Sequence, residues 1–62
     1  MTEKFNENFS IKYGGIMRYE IYFKDKLIHV ELDYNLALKW LLDNNHITKS
    51  TYQNNYRRGI IS

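Results

Sequence analysis

Lys49, Ser50, Gln53, Asn54 and Arg57 fall on one face of a helical wheel drawn from Thr48, and Tyr52 and Tyr56, four apart, fall on the other. Side-chain amides match the donor and acceptor pair on an adenine edge, and guanidinium matches guanine or phosphate. That set is therefore the chemistry of a helix that reads duplex DNA. The stretch also carries its own punctuation. Thr48 is an N-cap whose hydroxyl can accept from an orphan N–H of the first turn. Ile47 and Tyr52 then stand at N′ and N4, the positions of a hydrophobic staple. Arg57 and Arg58 occupy the last turn at the negative dipole end, and Gly59 stands where a left-handed C′ residue is wanted.

No comparable constellation points to catalysis. His29 lies on the outward face of an expected strand and His46 in a turn, each without an orienting partner. Glu20 and Glu31 face one another across an expected hairpin, a pairing that reads as a solvated sheet surface rather than an acid–base pair. Gly14-Gly15 precedes no helix, so it is a turn and not a phosphate cradle. With no cysteine in the chain, neither disulfides nor a thiolate metal site is available. We expect no enzymatic activity, no metal and no cofactor.

The elements that must position the polar helix follow from periodicity. Met17, Tyr19, Ile21 and Phe23 alternate with Arg18, Glu20 and Tyr22, and Ile28, Val30 and Leu32 repeat the period. A turn at Asp25-Lys26 would set Phe23 against Ile28, Ile21 against Val30 and Tyr19 against Leu32. Phe9, Ile11 and Tyr13 alternate in the same way. A three-residue loop, Gly14-Gly15-Ile16, keeps their apolar side chains on the shared face by pairing Tyr13 with Met17 and Ile11 with Tyr19. Asp33 caps a helix in which Tyr34, Ala37, Leu38, Leu41 and Leu42 form the buried stripe. Asn44 or Asn45 supplies the left-handed residue at its end. The expected fold class is α+β: an antiparallel hairpin or three-stranded meander over about 9–13, 16–23 and 27–32, then helices over about 34–44 and 49–58. Residues 1–7 read as a mobile tail, and 8–62 as a single domain.

Size and charge bound the partners. A chain of 62 residues buries only ~60% of its unfolded surface, so a second copy or a partner protein would add needed burial. Leu36 and Trp40 widen the apolar arc of the first helix beyond one contact, and Leu27 falls outside the inward set. These three residues are the expected interface of a homodimer, with two-fold pairing the commonest solution. The net charge is +2, unevenly spread. From Asn44 onward stand Lys49, Arg57 and Arg58 with no Asp or Glu, whereas Met1 to Asp43 holds six cations and seven acids. The positive field gathers on the last helix, as a nucleic-acid footprint would. Neither a signal-like h-region nor a membrane-length apolar run is present, so a cytoplasmic protein with no membrane partner is expected.

Ile47-Thr48-Lys49-Ser50-Thr51-Tyr52, followed by a polar stretch ending Arg57-Arg58-Gly59, resembles the turn and second helix of helix-turn-helix DNA-binding proteins. Met17-Arg18-Tyr19-Glu20-Ile21-Tyr22 ahead of it is similar to the hairpin of small DNA-binding modules in Gram-positive phages and mobile elements. The resemblance covers residues 17–59 and departs from the pattern at His46, where the family has glycine, and at Leu42, where it has alanine. It implies regulation through double-stranded DNA. Lys49, Ser50, Thr51, Gln53 and Asn54 would meet bases or phosphates, and Arg57 and Arg58 would flank the backbone. Leu41-Leu42-Asp43 with Ile47-Thr48 and Tyr52 resembles instead the short C-terminal helical hairpin that serves bacterial proteins as an oligomerisation element. Separately, the apolar surface around Trp40, Leu36 and Leu27 supports an alternative, a small phage-type protein that binds and inhibits or recruits a host protein.

Overall fold

The computed structural model describes residues 2–57 as a four-stranded antiparallel meander followed by two helices. In chain order the elements are β1 (Thr2–Lys4), β2 (Phe9–Tyr13), β3 (Tyr19–Phe23), β4 (Lys26–Glu31), α1 (Tyr34–Asp43) and α2 (Lys49–Asn55). The α+β class and the two helices agree with the sequence expectation, and the sheet has one strand more. That strand lies inside the stretch expected as a tail. Glu3 pairs with Ile11, flanked by Thr2 with Lys12 and Lys4 with Ser10. Asn6 makes the return possible: its Oδ1 accepts from the N–H groups of Asn8 and Phe9, both at 2.9 Å. An Asx-type turn of this kind closes a short connection without glycine.

Phe9 and Ile11 of β2 and Ile21 of β3 face the helices and join Tyr34, Ala37, Leu38, Leu41 and Ile47 in one core. Parity between β2 and β3 is as expected, with Ile11 opposite Ile21 and Tyr13 opposite Tyr19. The connection is longer than three residues, however. It runs from Gly14 to Arg18, so the third strand begins at Tyr19 rather than near residue 16. Gly14 N–H donates to the Arg18 carbonyl at 2.9 Å, and Met17 takes the left-handed φ of 58°.

The hairpin β3–β4 departs further. Its turn is Lys24-Asp25, one residue earlier than expected, and Lys24 takes φ 55°. Phe23 pairs with Lys26 and Tyr22 with Leu27, but Ile21 pairs with His29. Ile28 is therefore the extra residue of a β-bulge, and beyond it the inward set changes. His29 and Glu31, not Val30 and Leu32, share the helix side with Ile21 and Tyr19. The physical reason is Trp40. Its indole lies flat on the His29 imidazole, with centroids 4.4 Å apart and planes 11° apart, a fit that β-branched Ile28 or Val30 could not offer. Glu20 and Glu31, expected face to face, consequently lie on opposite faces of the sheet, Glu20 opposite Val30.

α1 forms as its cap and stripe require. Asp33 accepts from Asn35 N–H at 3.0 Å, Tyr34, Ala37, Leu38 and Leu41 are buried, and Asn45 takes φ 61° after the helix end. The helix packs across β3 and β4, and α2 packs on α1.

Candidate recognition surface

α2 is placed by its first turn. Thr48 Oγ1 accepts from Thr51 N–H at 3.1 Å, which satisfies one of the free donors at the helix start. Ile47, just before this cap, is buried in the core, and Tyr52 packs against that core from the other end of the expected staple. Tyr52 and Tyr56 lie with centroids 5.6 Å apart. Asn55 is used locally, its Nδ2 donating to the Thr51 carbonyl at 2.9 Å. With Tyr52 and Asn55 turned inward, Lys49, Ser50, Gln53 and Asn54 are left exposed and Thr51 half-buried. The exposed four stand side by side on the outer side of the helix.

Arg57 does not continue that ridge as a helical residue. α2 ends at Asn55, and Tyr56 closes it with φ −59° and ψ 127°. The backbone of Arg57 is then held by one side chain from the first turn of α1. Asn35 Oδ1 accepts the Arg57 N–H at 2.9 Å, while Asn35 Nδ2 donates to the Arg57 carbonyl at 2.6 Å. The guanidinium carbon sits 3.7 Å from the centroid of the Tyr34 ring, and Nη2 is 3.7 Å from Glu3 Oε1. Glu3 Oε1 also accepts from the Tyr34 hydroxyl at 2.9 Å. Burial, and then that hydrogen bond to a carboxylate, push the Tyr34 phenol well above its ordinary value. Arg58 and Gly59 lie outside the described residues.

The three expected interface residues do not form one patch. Leu36 is 50% exposed on α1, and Trp40 on the same helix is half-buried under His29. Leu27, 42% exposed, pairs with Tyr22 and so lies on the sheet face turned away from the helices. Leu32, just before α1, is 62% exposed.

Three features are not legible in the sequence. His29 Nε2 and Glu31 Oε2 stand 2.7 Å apart on the helix side, and His46 stacks on Phe9 at 4.1 Å. Both histidines are thus packing partners of aromatic rings. Between β1, β2, β3 and the start of α1 there is also an open cleft of about 270 Å³, lined by Glu3, Ile11, Tyr13, Tyr19, Tyr34 and Arg57. The alternation of Tyr13 and Tyr19 was visible, but without β1 nothing set a carboxylate beside them. Among the described residues, no cluster of three or more His, Cys, Asp or Glu is arranged to hold a metal. No helix among them is long and apolar enough to cross a membrane.

Comparison with protein-family models, with curated proteins and with solved structures finds no match to this chain.

Proposed function

We propose that this chain is a small DNA-binding regulatory protein, not an enzyme, that presents α2 to the major groove as a homodimer. The observation that carries this reading is the ridge of Lys49, Ser50, Gln53 and Asn54, exposed together on a helix that docks through Tyr52. No acid stands from Asn44 onward to repel phosphate. Gln53 and Asn54 supply amides for adenine edges, and Lys49 and Ser50 supply donors for phosphate or guanine. A single copy brings few cations, so pairing of two copies doubles the phosphate contacts. Duplex DNA titrated with protein at low salt, and again at rising salt, tests the reading. Binding is expected to weaken steeply with salt, and Lys49→Ala to lower the slope by ~1 per lost contact. Absence of binding at micromolar protein in low salt overturns it.

A second reading follows from a different observation, the exposure of Leu32 and Leu36 at the start of α1. Such surface suits a host-protein partner that the chain inhibits or recruits. Its signature is a stoichiometric complex that survives both nuclease and high salt, and that Leu36→Glu abolishes.

A further inference from the structure

We propose that the cleft between β1 and the start of α1 is a receptor for a guanidinium group of a partner chain, a place that Arg57 now fills from within. Three tyrosine rings stand in a row along it. Tyr13 and Tyr19 are 5.3 Å apart between centroids, and Tyr19 and Tyr34 are 6.2 Å apart and edge-on. Ring faces carry the negative part of the aromatic quadrupole and attract a cation held within about 6 Å. Glu3 adds a full negative charge at the mouth, and buried Ile11 forms an apolar floor. Among the described residues, Arg57 is the cleft's single lining cation. Without it, the walls present the Glu3 carboxylate and the Tyr34 ring face that the guanidinium now covers, with Tyr13 and Tyr19 alongside, which is the chemistry of a cation site.

Arg57 shows both what fits and why it can be displaced. Its guanidinium lies over the Tyr34 ring and beside Glu3 at once, the arrangement a guest guanidinium would adopt. The side chain is nevertheless 60% exposed, and the Asn35 clamp holds only its backbone. Rotating the side chain out leaves the clamp intact. An exposed ion pair and a solvated cation–π contact each contribute little in water. What a guest must overcome is chiefly the local concentration of the tethered guanidinium, about millimolar for a short flexible tether. The site therefore takes a guest weakly in the wild-type chain and more tightly once the tethered competitor Arg57 is gone. This proposal is independent of DNA binding, which uses the far side of α2.

The probes are acetyl-arginine amide and its neutral isostere acetyl-citrulline amide, titrated into the full chain while ring signals of Tyr13, Tyr19 and Tyr34 are followed by NMR. Arg57→Ala is expected to bind the arginine probe severalfold tighter than wild type, with shifts at those three rings. The citrulline probe is expected to give no saturable shift. Adding Glu3→Gln to Arg57→Ala should weaken arginine binding severalfold. Arg57→Gln, which keeps the stem, repeats the comparison should Arg57→Ala lose its folded spectrum. Equal binding of the two probes overturns the proposal, because the cleft would then select shape and not charge. Equal affinity in wild type and both Arg57 variants overturns it too, as does the absence of tyrosine shifts in a folded variant.

Discussion

The Tyr34 hydroxyl donates to Glu3 Oε1 at 2.9 Å, a bond between residues 31 apart that ties the first turn of α1 to the first strand of the sheet. Tyr34 is itself a core residue, so its ring fixes the helix while its hydroxyl fixes β1. Replacing it with phenylalanine keeps the ring and removes only the tie. Tyr34→Phe should cost about 0.5–1.5 kcal/mol in chemical denaturation, the net worth of one hydrogen bond. Amide exchange should rise selectively in residues 2–4. The same variant tests alkaline behaviour. Because the folded-state phenol is raised, its contribution is fully present below the unfolded value near 10 and is lost as pH climbs beyond it. Wild type should lose stability above about pH 10 more steeply than Tyr34→Phe.

A second titration prediction concerns the β2–β3 connection. Glu20 accepts from Arg18 Nε at 2.7 Å and from the Tyr22 hydroxyl at 3.1 Å, and those two bonds, Arg18 first, hold its carboxyl below the usual glutamate range. A lowered folded value means stabilisation that is present above the unfolded value and lost as pH falls through the folded one. Gly14 makes room for this arrangement. A Cβ there would stand 2.7 Å from Glu20 Oε2 and 3.1 Å from Arg18 Cδ. Both atoms are ends of flexible side chains, so Gly14→Ala should displace the pair rather than unfold the sheet. The expected result is a Glu20 carboxyl that titrates closer to its ordinary value by NMR, with a folded spectrum retained. An unchanged Glu20 titration would show that Arg18 and Tyr22 find another route to it.

Parts of this arrangement are legible in the sequence alone. α1 was legible because the spacing of its apolar residues and the Asp33 cap are local properties, as was the Thr48 cap of α2. The face shared by Ile11, Tyr19 and Ile21 was legible because strand parity needs only alternation. β1 was not. Thr2-Glu3-Lys4 has no apolar alternation, and it is a strand because β2 offers an edge and Asn6 turns the chain toward it. The bulge at Ile28 was hidden for a related reason: it answers the shape of Trp40, which arrives from α1. On α2, the exposure of Lys49, Ser50, Gln53 and Asn54 follows from the wheel, but the course of Arg57 depends on the amide of distant Asn35.

The cap of α2 separates folding of the ridge from its chemistry. α2 spans seven residues, too short to persist without its cap and its docking tyrosine. Thr48→Ala should cost about 1 kcal/mol and loosen α2 before the sheet, seen as faster exchange at the Thr51 and Tyr52 amides. Gln53→Ala with Asn54→Ala should leave stability within about 0.5 kcal/mol, because both side chains are exposed. If α2 is the DNA-reading element, the double variant loses sequence discrimination while keeping its salt slope, whereas Lys49→Ala does the reverse. Discrimination unchanged in the double variant would remove α2 from the recognition role.

The last prediction concerns assembly. Leu36 stands half-exposed on α1, four residues beyond the still more exposed Leu32, while Trp40 is partly covered by His29. A chain of this size has few other ways to bury apolar surface, and two-fold pairing that covers the Leu36 side chains is the expected arrangement. Light scattering coupled to size exclusion should therefore give about twice 7.6 kDa. Trp40→Glu is a poor probe, since the indole packs against the core of its own chain and its loss would unfold the protomer. Leu36→Glu is the discriminating variant, because it adds a charge where the side chain is already half-exposed and lies outside the core. It should halve the mass with an unchanged far-UV spectrum, and it should make melting independent of protein concentration. A wild-type mass of a single chain would mean that the surface at Leu32 and Leu36 stays in water or awaits a different protein.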